Sequence, residues 1–167
     1  MPETFDLVVN RRPTRVSVDE RTTLLDLLRG ELGLRATRFG CGLEQCGACM
    51  VLVDGEPACA CTRLVSTLSG KQITTIEGLA ESGSLAPLQQ AFVAEQAGQC
   101  GFCLSGILIS AAALLDRNPA PSRAEIAAAL DQHLCRCGAH NRIIRAVQRA
   151  AQSRRGEDRG LREERRI

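Results

Sequence analysis

The sequence predicts an α+β protein in two parts: short strands gathered around one helix, followed by a bundle of four helices. Three observations carry this. Alternating, β-rich runs recur up to about residue 76, and alanine- and leucine-rich helical patterns replace them beyond residue 84. Nine cysteines fall into two groups, one in each part. At 167 residues the chain has room for one medium domain or two small ones. Gly78 and Ser82-Gly83-Ser84 mark the boundary. The expected division is 1–80, 81–152 and a charged tail at 153–167.

Phe5 to Val9 is β-rich, Asn10-Arg11-Arg12-Pro13 is turn chemistry, and Arg15 to Val18 alternates again, so the two runs read as a hairpin. Thr22-Thr23 precedes Leu24-Leu25-Asp26-Leu27-Leu28, a capped short helix with leucines on its buried side that stops near Gly30 or Gly33. Gly40 to Cys49 is a glycine-rich loop. Met50 to Val53, the turn pair Asp54-Gly55 and the run from Glu56 make a second hairpin, and Gln72 to Ile76 a last strand. In the second part Ser84 is positioned to cap a helix from about Pro87 to Gln96, with Gly98 as its stop. Leu104 to Leu115 reads as a buried helix, broken by Asn118-Pro119-Ala120-Pro121. Ser122-Arg123-Ala124-Glu125 is a capping box opening a third helix, and Ile143 to Gln152 makes a fourth. The tail from Ser153 is rich in Arg and Glu without apolar periodicity, which predicts disorder or docking on a partner.

Composition narrows the function. A net charge of +2 does not point to nucleic acid. No apolar run approaches the roughly 20 residues needed to cross a membrane. The N-terminus lacks the basic and apolar stretches of a signal peptide, so a cytoplasmic location is expected, with export or membrane association open only as part of a complex. Four Phe and no Tyr or Trp leave the core to aliphatic residues and metal sites. An odd cysteine count with close Cys pairs suits metal ligation better than disulfides.

The first group is Cys41-x4-Cys46-x2-Cys49, with a fourth thiol from Cys59 or Cys61, which share a side if the segment is a strand. Three close cysteines and a distant fourth is the arrangement of plant-type [2Fe–2S] sites. Gly40, Gly42 and Gly47 give the loop freedom to curl and to aim amide N–H groups at sulfur. The second group is Cys100-x2-Cys103 and, 31 residues on, Cys135-x-Cys137. Two such pairs can meet at one end of a bundle. Zinc remains an alternative at both sites, although Cys-x-Cys is tighter than the usual structural zinc spacings.

Residues Phe39-Gly-Cys-Gly-Leu-Glu-Gln-Cys-Gly-Ala-Cys49, Gln99-Cys-Gly-Phe-Cys103 and Leu134-Cys-Arg-Cys-Gly138 resemble the small iron–sulfur subunit of the molybdenum hydroxylases, the xanthine dehydrogenase and aldehyde oxidoreductase family. The resemblance spans about residues 4–152. It implies a ferredoxin-like β-grasp domain followed by a four-helix bundle. It makes Cys61 the fourth ligand of the first cluster, with Cys41, Cys46 and Cys49, and Cys59 a spare thiol. It implies that Cys100, Cys103, Cys135 and Cys137 hold a second [2Fe–2S] cluster beside the pterin of a molybdenum cofactor on a separate large subunit. Cys137 would be the ligand nearest that pterin, and Gln99 would contact it. The run Cys137-Gly138-Ala139-His140-Asn141-Arg142 is similar to the isoquinoline 1-oxidoreductase and nicotinate dehydrogenase branch. That leaves two acceptors open, FAD on a flavin subunit or haem on a cytochrome c.

The remaining polar residues have plainer readings. His140 is a structural hydrogen bonder in its loop, His133 a helix-end residue, Arg136 a charge compensator or a solvent-facing side chain, and Cys59 a small buried hydrophobe. The chain shows no Ser/His/Asp set and no phosphate-cradling loop. It is therefore expected to carry electrons and leave bond-making to a partner; the resemblance implies a non-catalytic electron-transfer subunit of an oxidoreductase that hydroxylates an N-heterocycle or aldehyde. The rival readings are a zinc-stapled adaptor and a free ferredoxin.

Overall fold

The computed structural model describes residues 2–80 and 85–164, with side chains through residue 154. Five strands form one mixed sheet: β1 (Glu3–Val9), β2 (Arg12–Val18), β3 (Met50–Val53), β4 (Glu56–Cys59) and β5 (Gln72–Thr74). Their order is β2-β1-β5-β3-β4, with β1 and β5 parallel and the other pairs antiparallel. The two hairpins turn on residues in the left-handed region, Asn10 and Arg11 in one and Asp54 and Gly55 in the other, which matches the right-handed twist of the flanking strands. Alternation then does its work: Phe5, Leu7, Val9, Val16 and Val18 point into one core while their neighbours face water.

β2 starts at Arg12 and takes in Pro13, which the sequence reading leaves in the turn. Pro13 pairs with Val8 from the sheet's edge, where its missing N–H costs no ladder bond. β5 stops at Thr74 instead of Ile76 because the Thr75 amide donates to Asn10 Oδ1 (2.9 Å) and leaves the ladder.

Helix α1 (Leu24–Asp26) begins at the expected cap, with the Asp26 amide donating to Thr23 Oγ1, and widens into a π-helical turn over Leu27–Glu31. Leu24, Leu25, Leu27 and Leu28 are all buried beneath the sheet. The second part holds α2 (Pro87–Ala94), α3 (Leu104–Arg117), α4 (Arg123–Leu130) and α5 (His140–Glu164). The fold is thus α+β, with a sheet-and-helix part followed by four helices.

Ser84 lies outside the described residues. The N-cap of α2 is Ala86, whose amide donates to Gln89 Oε1, with Pro87 at the first helical position. The helix stops before Gln96, not at Gly98: Gln96 is left-handed and the Ala97 amide reaches back to the Phe92 carbonyl, a Schellman closure. The capping box of α4 forms as expected, Glu125 N–H to Ser122 Oγ and Ser122 N–H to Glu125 Oε2. α5 runs on to Glu164, past Ser153, where the sequence reading begins a disordered tail. Arg, Glu and Leu are good helix formers, and Arg154 pairs with Asp116 at the end of α3.

α3 joins the two parts. Ile109 and Ala113 belong to the core beneath the sheet, while Ile107, Leu108, Ala111, Ala112 and Leu115 belong to the core of the helices. Among the described residues no helix is long and apolar enough to cross a membrane.

Candidate metal centres

The loop between α1 and β3 carries the first group of thiols. Left-handed residues at Gly42, Glu44 and Gly47 curl it back on itself. The curl aims the amides of Leu43 and Gln45 at Cys41 Sγ (3.3 and 3.2 Å) and that of Cys41 at Cys46 Sγ (3.4 Å). The Leu43 and Gln45 amides pull the Cys41 thiol down to about 7. Such a nest favours thiolate, the form a metal binds. Gly40 leaves room for the sulfur, since a Cβ there would sit 2.6 Å from Cys46 Sγ. The Glu44 side chain accepts from the Thr62 hydroxyl, which ties the loop tip to the segment bearing Cys61.

Cys49, at the foot of β3, is buried. The Ala60 amide donates to the Cys49 carbonyl (3.1 Å), so Cys59 and Cys61 flank it. Cys59 lies against Cys49, and that contact with burial pushes the Cys49 thiol far up. Burial also raises Cys61, which touches Cys49 as well. Both thiols left open by spacing therefore reach the first group.

In the second group, Cys100 is exposed and pairs with Cys137, while Cys103 is buried at the head of α3 and pairs with Cys135. The Phe102 amide and then Cys137 lower the Cys100 thiol. Burial, reinforced by Cys135, pushes Cys103 up to about 12. Left-handed Gly101 and Gly138 make the turns that bring the two segments together.

In the second group the thiols meet in two pairs, Cys100 with Cys137 and Cys103 with Cys135; in the first, Cys41 lies beside Cys46, and Cys49 has both Cys59 and Cys61 against it. A lone zinc asks for four donors around one centre, whereas a two-iron cluster takes two thiolates at each end. Donor type, pairing and the amide nest all fit the two-iron cluster.

Gln99 is exposed on the lip of an open apolar groove lined by Leu85, Phe92, Val93, Gly101 and Leu104. Phe39, Leu43, Phe102 and Leu134, all large and exposed, stand around the two cysteine loops. His140 is exposed at the start of α5.

His133 departs from its expected role at a helix end. Its ring is buried, with Nε2 2.7 Å from Ser110 Oγ and Nδ1 pressed against Gly47 without a hydrogen-bond partner in good geometry. Burial lowers it to about 4, so the ring is neutral at pH 7. Around it the two loops are joined: the Leu134 amide donates to the Cys46 carbonyl (3.1 Å), and Ser105 Oγ to the Ala48 carbonyl (3.4 Å). The joint needs glycine on both sides, because a Cβ on Gly47 would overlap the His133 ring and one on Gly106 would overlap the Gly47 carbonyl. Local patterns carry no sign of this seam, which brings together residues far apart in the chain. Its one trace in the sequence is a histidine two residues before a ligand-spaced cysteine.

Residues 7–79 match the model of a 2Fe-2S iron-sulfur cluster binding domain, and residues 75–148 that of a [2Fe-2S] binding domain. A subunit of nicotinate dehydrogenase from Pseudomonas putida is 48% identical over 155 residues, covering 93% of this chain and 99% of the relative. The alpha subunit of isoquinoline 1-oxidoreductase from Brevundimonas diminuta is 47% identical over 148 residues, covering 88% and 97%. The chain belongs to the small iron–sulfur subunits of the molybdenum hydroxylases. In the crystal structure of quinoline 2-oxidoreductase from Pseudomonas putida 86, a chain 38% identical superposes on this subunit with a TM-score of 0.89, over 93% of this chain and 98% of that one. This subunit therefore binds iron–sulfur clusters and is an electron-transfer, non-catalytic member of an oxidoreductase.

Proposed function

We propose that this subunit carries electrons, one at a time, from a molybdopterin site on a large partner subunit to a flavin subunit or a cytochrome c, while the partner hydroxylates an N-heterocycle or aldehyde. The observation that carries this reading is the pairing of thiols in two loops that one seam holds together. In this reading Cys41, Cys46, Cys49 and Cys61 hold one [2Fe–2S] cluster and Cys100, Cys103, Cys135 and Cys137 the other. Each cluster, when bound, supplies a one-electron acceptor and donor. The chain's own groups do the rest. The amides of Leu43 and Gln45 offset negative charge on Cys41, and burial of Cys49 and Cys103 keeps water from the inner edge of each site.

Cys137 and the exposed Gln99 face the partner's pterin. The two functional units are residues 1–80 and 81–152, and the complex is cytoplasmic. The relatives named for nicotinate, isoquinoline and quinoline support an N-heterocycle as substrate. The run from Cys137 to Arg142 supports a cytochrome as readily as a flavin. The test is EPR of the dithionite-reduced complex, with iron and zinc measured on the same sample. Two S = 1/2 signals with about four irons per chain are expected. Zinc without a signal, or one signal at half the iron, overturns the ligand assignment.

A further inference from the structure

The cation beside the helical site comes from the other domain. Arg38 lies three residues before Cys41, yet its guanidinium sits over the ring of Phe102, 5.7 Å from the centroid, within the range of a cation–π contact. Phe102 stands between Cys100 and Cys103. The Arg38 backbone is fixed, its amide donating to the Ala48 carbonyl (3.2 Å). Thr37 before it is buried, and its carbonyl accepts from Arg29 Nη1 (2.8 Å). Among the described residues no carboxylate pairs with the guanidinium, so its charge is not neutralised locally.

We propose that Arg38 is a positioning residue for electron transfer: stacked on Phe102, it fixes a positive charge from the first domain beside the Cys100–Cys103 loop and raises the reduction potential of the cluster in the helical domain. The inference rests on the ligand assignment proposed above. Reduction adds one electron, drawn from the partner's substrate oxidation, and makes the cluster more negative by one charge. A nearby cation stabilises that form more than the oxidised one. Seated on Phe102, the charge acts on the helical-domain site, where a raised potential favours electron entry from the pterin side and lessens the drop onward to the first site.

The test is a redox titration of the complex purified with its large subunit, followed by EPR. The helical-domain signal is assigned as the one that Cys137→Ser perturbs. Arg38→Gln should lower the midpoint of that signal and leave the other in place. Arg38→Lys should keep it near the wild-type value, since charge and ring contact both survive. Phe102→Leu, which removes the seat but not the charge, should give a smaller drop. Two intact signals with unmoved midpoints in Arg38→Gln overturn the inference and leave the proposed function standing. An equal drop in both midpoints also overturns it, because the charge would then favour neither site. A wild-type complex without two signals overturns the ligand assignment and this inference together.

Discussion

At the scale of single residues, Cys49 holds the most crowded position, with Cys59 and Cys61 both against it. Cys61→Ser is expected to remove one of the two EPR signals and about half the iron, whereas Cys59→Ser should keep both; the reverse pattern would make Cys59 the ligand. Ser110 tests the seam. Ser110→Ala leaves His133 Nε2 buried without its partner and should cost roughly 1–3 kcal/mol in chemical denaturation. The two groups of closely spaced cysteines are legible in the sequence because cluster chemistry imposes local spacing, although spacing alone leaves Cys59 and Cys61 open. His133 and Arg38 are not, because their partners Ser110, Gly47 and Phe102 come from distant segments, and no local pattern encodes a ring pressed on a loop.

At the scale of elements, the hairpins, the capped α1 and the four helices follow from alternation, turn pairs and caps. The misplacements have local causes: Pro13 is tolerated at a sheet edge, the Asn10 side chain captures the Thr75 amide, and Gln96 takes the left-handed role expected of Gly98. The capping box of α4 offers a clean measurement. Ser122→Ala should lower stability by about 1 kcal/mol. Glu125 is held below the usual carboxylate range by Ser122, through its side chain and then its amide. A depressed carboxylate stabilises the fold at neutral pH, and that contribution fades as pH falls through the lowered value. Glu125→Gln should therefore reduce stability at pH 7 and flatten the acid limb of a stability–pH curve. The Gly106 position on α3 is stricter. Gly106→Ala forces a methyl into the Gly47 carbonyl and should destabilise the holoprotein by an overpacking cost of about 1–3 kcal/mol, seen as a lower melting temperature.

At the scale of the whole molecule, α3 packs into both cores, so the two parts are expected to unfold as one cooperative body. Ile109 is fully buried beneath the sheet although it belongs to the helical segment. Ile109→Ala should cost roughly 2–5 kcal/mol and move a single unfolding transition without splitting it. Two separated transitions in calorimetry would show that the domains unfold independently. The apolar ring of Phe39, Leu43, Phe102 and Leu134 has a consequence for supply. A copy made in excess of its partner presents four large apolar side chains to water, clustered about its two most reactive loops. Surplus copies then become a clearance problem, so the cell's interest lies in matched synthesis of the subunits. Expression of this chain alone should give less soluble protein than co-expression with the large subunit.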